Sequence, residues 1–431
     1  MAGKISLLWS WLTGRNRFAR VDLDELLLEH DQQEKYVADD ESGKRRPHEP
    51  AVTPGLDQTQ IARTFDSSHP VRTRDELFGR NEELRQLLAA AIDFGQHSII
   101  HGARGSGKTS LARVFGDHAD QGGAVVIYMA CEPGASFADL LTPYLHALPL
   151  GALDPITRVR YKEELLHLPT QFTPRAFVDL VAERVNQPVI FIFDEFDRIV
   201  DAAVKSDIAA AMKLLSDSLS SVLFMLVGIA RSVSDIVDSH PSLRRHMRVV
   251  ALGRIAPDSV GALIAAGEAS TGLLFDADAR AVITRASCGS PFHVRLFCHH
   301  AALTAVRQGS TSVVSGEDAR GGLKTAIEYW AAMNVNDARR FVELIEAGRD
   351  LPSLENAARI AALTDRLPVD SDGAAVLENS LSFETDTNDV LVFHDSMAPQ
   401  FLISCIILAE KPIDAKANYS LIRENENAPG N

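Results

Sequence analysis

The segment Gly102-Ala103-Arg104-Gly105-Ser106-Gly107-Lys108-Thr109 constrains this chain more than any other. It has the pattern G-x-x-x-x-G-K-[ST], follows the apolar run His97–His101 and opens into a helical pattern from Gly107 to His118. Glycines let such a loop turn so that successive N–H groups face one point. The start of the following helix adds the positive end of its dipole. The Lys108 ammonium is suited to β- and γ-phosphates, and the Thr109 hydroxyl to magnesium. A plain glycine-rich turn would leave Lys108-Thr109 unexplained. The expected ligand is ATP with Mg2+, held by residues 102–109 and by Ser110, which continues the turn.

A second run completes the expected site. Val189-Ile190-Phe191-Ile192-Phe193-Asp194-Glu195 is a buried-strand pattern ending in two acids. Alone, that pattern is weak, because a strand leaving the core often ends in charge. Following the loop lysine in the same chain, it points to Asp194 as a magnesium ligand, direct or through water. Glu195 is expected to orient the attacking water. The adjacent acid implies hydrolysis rather than mere retention of nucleotide.

Strand patterns at 97–101, 125–130, 189–193, 222–227 and 249–252 alternate with helical ones, which predicts a parallel sheet covered on both faces. After Arg254 four helices are expected, then two or three short ones and a hairpin around 381–393. The fold class is therefore α/β: a parallel-sheet P-loop NTPase domain, a helical lid and a winged-helix-like C-terminal domain. The expected divisions are 1–75 as an extension or linker, partly disordered, 76–254 as the P-loop domain, 255–333 as the lid, 334–420 as the winged-helix-like domain and 421–431 as a tail. The first twenty residues carry four cations and no acid; residues 21–43 carry nine acids and one lysine. The Leu/Trp cluster at 7–12 reads as an amphipathic helix docking on a partner or a membrane surface, or as one folded back on its own body.

With these motifs the chain resembles P-loop ATPases of the AAA+/STAND group, in its origin-recognition-type and NACHT-like branch, over about residues 76–310. Leu77-Phe78-Gly79-Arg80-Asn81-Glu82-Glu83-Leu84 looks like the segment that opens such modules. The resemblance implies that Phe78 and Arg80 lie near the base; a helix N-terminal region is the plainer reading. Arg231 is the best match to the residue that reads the γ-phosphate at the end of the fourth strand. Arg244 or Arg245 falls where the family carries an arginine finger, which serves a neighbouring subunit; a basic helix end is the alternative. Pro291 in Gly289-Ser290-Pro291 resembles the lid proline against the base, or else simply begins a helix. The family's lid arginine has no clear counterpart, since Phe292 follows and Arg295 lies a turn on.

Charge and cysteine content narrow the partner. The chain carries 43 Lys and Arg against 58 Asp and Glu, and residues 331–431 carry 8 against 17. Duplex affinity rests on cations meeting phosphates, so DNA is the less favoured partner. The favoured reading is an ATP-hydrolysing switch or assembly ATPase acting on a protein partner, with homo-oligomerisation if the arginine finger operates. The alternatives are a DNA-associated initiator or loader and a non-hydrolysing nucleotide-bound scaffold. Four scattered cysteines without a C-x-x-C spacing fit a reducing cytoplasm. No apolar run reaches the ~20 residues of a membrane span.

Overall fold

The computed structural model describes residues 58–228, 241–310, 312–347, 350–383 and 389–410. The Leu/Trp cluster at 7–12, the charged stretches before residue 57 and the tail 421–431 lie outside them. Contacts divide the chain into two units. The first helix, α1 (Gln58–Thr64), belongs with the second unit and is taken up there.

The first unit is built on α2 (Asn81–Leu88), β1 (His97–Gly102), α3 (Lys108–Gln121), β2 (Val125–Ala130), α4 (Phe137–Ala147), α5 (Arg158–Leu166), α6 (Pro174–Val181), β3 (Val189–Asp194), α7 (Ala202–Asp217), β4 (Val222–Gly228) and β5 (Met247–Leu252). The five strands form one sheet in the order β2-β3-β4-β1-β5, every neighbouring pair parallel. Parallel pairing explains the uninterrupted apolar runs, because both faces are covered. Ile190 and Ile192 of β3 and Leu223, Met225 and Val227 of β4 join one core, with Leu87 of α2 and Phe115 of α3. Phe191, Phe193, Phe224 and Leu226 join the other, with Tyr144 of α4, Phe177 of α6 and Met212 of α7. Each fully buried aromatic here contributes roughly 1.5–3 kcal/mol. The helices start where local chemistry dictates: Ser136 and Asp139 form a reciprocal capping box on α4, Thr173 caps α6 ahead of Pro174, and Asp201 caps α7.

The second unit contains α1, α8 (Pro257–Thr271), α9 (Ala277–Ser287), α10 (Pro291–Arg307), α11 (Gly316–Met333), α12 (Val335–Glu346), α13 (Leu351–Thr364) and α14 (Ala398–Ala409). Residues 58–64, expected as linker, form a helix because Ile61 within it and Phe65 just after it are each 1% exposed, with Phe65 edge-on to Phe275 at 5.8 Å. Residues 253–410 group as one unit rather than separating near 333. The reason is α14, apolar nearly all round: its Phe401 stacks on Trp330 of α11 at 4.9 Å and meets Phe297 of α10 at 6.2 Å. Short strands β6 (Leu274–Phe275) and β7 (Val313–Val314) pair parallel, in a region where no strand was expected. Strands β8 (Leu367–Pro368), β9 (Leu381–Phe383) and β10 (Val390–Phe393) form a three-stranded antiparallel sheet in the order β8-β10-β9. Between β8 and β9 the expected helix at 373–379 is a 3-10 segment, Ala375–Ser380.

Candidate functional site

All five strands point the same way, so the C-terminal ends of β1 and β3 reach one sheet edge. β4 lies between them, which sets those ends about 10 Å apart. Two side chains close the gap. Thr109 in the first turn of α3 donates from Oγ1 to Asp194 Oδ2 at 3.0 Å. The hydroxyl hydrogen is thus committed to the carboxylate, leaving the oxygen's lone pairs for a cation. Asp194 is 5% exposed and satisfied on both oxygens: the Tyr128 hydroxyl also donates to Oδ2, and the Glu195 amide donates to Oδ1 at 2.9 Å. A buried carboxylate left without such donors would be costly.

The loop is shaped by two glycines in particular. A Cβ at Gly102 would run into the Leu252 carbonyl on β5, and Gly107 has φ +92°. Lys108 Nζ donates to the Gly102 carbonyl at 2.8 Å. Burial first, and Lys108 second, hold the His101 imidazole below its ordinary pKa. By contacts the loop tip Ala103–Gly107 groups with the second unit. There Arg254 Nη1 donates to the Arg104 carbonyl and Ser290 Oγ to the Gly105 carbonyl, each at 3.2 Å, and the Ser106 amide reaches the Ala103 carbonyl at 3.2 Å.

Glu195 leaves β3 with φ 53° and ψ 37°, a left-handed conformation that a non-glycine residue holds at a cost of order 1–3 kcal/mol. Its carboxylate is half exposed and lies 3.1 Å from Arg198 Nε. Arg80 is 4% exposed and pairs with Glu83 at 2.9 Å, while Phe78 is half-buried. Arg244 and Arg245 are exposed on a 3-10 segment, Pro241–His246, anchored by the fully buried Leu243. Pro291 is the first residue of α10, directly after Ser290. Arg231 lies outside the described residues.

Three residues near these groups escaped the sequence reading: Tyr128, Arg254 and Ser290. Tyr128 was detectable only in register. Ala130 pairs with Asp194 and Tyr128 with Ile192, so Tyr128 stands two residues back on the same face as the carboxylate. Arg113, one helical turn beyond Thr109, lies over the Tyr128 ring at 4.7 Å. α3 and β2 border a groove of about 650 Å³ there, lined by Arg72, Arg113, Asp117, Asp120, Val126 and Tyr128 among others.

The donor set fits a magnesium–triphosphate: two hard oxygens converge beside a loop that carries an ammonium at its end. Among the described residues no helix is long and apolar enough to cross a membrane.

Residues 76–225 match the AAA ATPase domain family. No curated protein matches the chain. Among solved structures, Cdc6p from Pyrobaculum aerophilum is similar at 14% identity, covering 81% of this chain and 98% of its own, with a TM-score of 0.45. The Walker-type ATPase PABY2304 of Pyrococcus abyssi is similar at 17% identity, with 79% and 99% covered and a TM-score of 0.49. The ORC2 protein of Aeropyrum pernix is similar at 14% identity, with 85% and 98% covered and a TM-score of 0.46.

Proposed function

We propose, from the match of residues 76–225 to the AAA ATPase domain family and the geometry of the loop and the acidic pair, that this chain binds and hydrolyses ATP as a molecular switch or assembly ATPase acting on a protein partner. One observation carries the reading: the Thr109 hydroxyl and the Asp194 carboxylate, far apart in sequence, meet at 3.0 Å at the edge of the sheet. In this proposal Thr109 and Asp194 hold magnesium, and the loop 102–109 with Ser110 holds the phosphates. Magnesium, when bound, neutralises charge on the phosphate oxygens. Lys108 reaches β- and γ-oxygens, exchanging its bond to the Gly102 carbonyl for phosphate. Glu195, held outward by its backbone conformation, orients the attacking water and accepts its proton.

Arg244 and Arg245 are exposed, as an arginine serving a neighbouring copy must be, which supports homo-oligomeric action. Phe78 and Pro291 remain proposed base-side residues. Arg80 keeps that role only if its buried pair with Glu83 opens. The acidic balance of residues 331–431 weighs against duplex DNA as the target of the winged-helix-like end. A cytoplasmic setting accords with the free thiols of Cys131, Cys288, Cys298 and Cys405.

The test is a pair of variants read for ATP binding and phosphate release. Lys108→Ala should lose nucleotide affinity by at least about a hundredfold, the weight of a charge-assisted phosphate contact. Glu195→Gln should bind ATP as the parent does and release phosphate at least about a hundredfold more slowly. Undiminished binding by the first variant would remove the site; parental turnover by the second would remove Glu195 from the chemistry.

A further inference from the structure

The Asp194 carboxylate receives three donors, and the nucleotide reading uses only one of them. Thr109 belongs to the phosphate loop, and the Glu195 amide is the next backbone group along. The third is the phenol of Tyr128, from the edge strand of the sheet. It donates to Oδ2, the same oxygen that accepts from Thr109. Oδ2 thus accepts from two hydroxyls, one from each neighbouring element. The plane of the carboxylate is therefore set by Thr109 and Tyr128 on one oxygen and by the Glu195 amide on the other.

The phenol is itself held in place. Its ring lies under the Arg113 guanidinium at 4.7 Å, and Arg113 stands four residues after Thr109 on α3. The helix that presents the hydroxyl for the cation also carries the arginine that steadies the tyrosine. The β2–β3 register then delivers the phenol oxygen to the carboxylate.

We propose that Tyr128 is a positioning residue: its hydroxyl fixes the orientation of the Asp194 carboxylate and so sets how tightly the site takes magnesium with nucleotide. This rests on the nucleotide reading above. Tyr128 touches neither phosphate nor metal in the proposal; it acts through Asp194. Losing it leaves the carboxylate held by Thr109 and the Glu195 amide alone, with one restraint fewer on rotation about its last bond, and a turned carboxylate presents the wrong lone pair.

The full chain is compared with Tyr128→Phe and Tyr128→Leu, using a fluorescent ATP analogue as probe. Three quantities are read: affinity for the probe in EDTA, the Mg2+ concentration that half-restores tight binding, and the melting temperature. Both variants should need about tenfold more Mg2+, the loss expected when an outer partner of a metal-binding carboxylate is removed. Probe affinity in EDTA should be parental in both. Both variants should melt earlier, because the buried Asp194 loses a donor, and Tyr128→Leu, which also loses the ring, should melt earliest. A parental Mg2+ requirement in a folded Tyr128→Phe or Tyr128→Leu overturns the proposal while leaving the nucleotide site intact. A parent chain that binds no probe at all overturns the nucleotide reading, and this inference with it.

Discussion

At the scale of single residues, the sheet contains a buried titratable group with a defined cost. His97 is 1% exposed at the start of β1. Its Nε2 meets the Met212 carbonyl at 2.8 Å and its Nδ1 accepts from the Phe224 amide at 2.9 Å. Both nitrogens are used in the neutral ring. Protonation would set a second N–H against the Phe224 N–H. Burial accordingly lowers the pKa from 6.5 to about 4. The folded pKa lies below the unfolded one, so the stabilisation is complete above pH 6.5 and is lost as pH falls toward 4. The loss should reach about 3 kcal/mol. Amide-exchange protection at Phe224, followed from pH 7.5 to 4.5, should fall steadily below about pH 6.5; constant protection would show that His97 is not the controlling group. The same scale explains why Lys108 and Asp194 were visible from sequence and Tyr128 was not. An ammonium or a carboxylate at the end of an apolar strand is conspicuous in any fold. A tyrosine within a strand is ordinary until its neighbour across the ladder is known.

At the scale of elements, α1 shows how a short polar-looking segment acquires structure. Seven residues cannot sustain a helix alone, because nucleation is costly. Docking supplies what propensity lacks: Ile61 and Phe65 are buried, Thr64 and Ser270 hydroxyls meet at 2.9 Å, and Arg295 Nη1 reaches the Thr64 carbonyl at 3.2 Å. The close approach depends on Gly267 of α8, where an added Cβ would enter the Phe65 ring. Gly267→Ala should therefore destabilise the second unit by about 1–3 kcal/mol despite alanine's better helix propensity. Phe65→Ala should cost about 3–5 kcal/mol. Chemical denaturation followed by a signal from the second unit checks both, and a Gly267→Ala variant as stable as the parent would remove α1 from that packing. The 3-10 segment at 375–380 is the opposite case. Its expected helix was too short to be imposed by pattern, and the chain between β8 and β9 tightens instead.

At the scale of the whole molecule, the proposed arginine finger would make activity a property of assembly. Leu243 anchors the 3-10 segment, while Arg244 and Arg245 stand in solvent. If they serve a neighbouring copy, turnover per chain should rise with protein concentration, and Arg244→Ala with Arg245→Ala should abolish that rise. An arginine finger is worth about 10³–10⁵ in rate, so the contrast should be large. Concentration-independent turnover in the parent chain would assign these arginines to the surface alone.

The five parallel strands, the glycine-rich turn between β1 and α3 and the acidic pair at the end of β3 were readable from the linear chain because each is local: a contiguous motif, or an apolar run whose length and flanks specify its element. Three-dimensional packing added what depends on partners distant in sequence. The ladder between β2 and β3 turned Tyr128 toward Asp194. Aromatic stacking of Trp330 on Phe401 merged the expected lid and C-terminal domain into one unit. Burial against Gly267 and Phe275 made a helix of residues expected as linker. Local free energies are written in neighbouring residues, whereas register, docking and domain merger arise from contacts whose partners no stretch of sequence names.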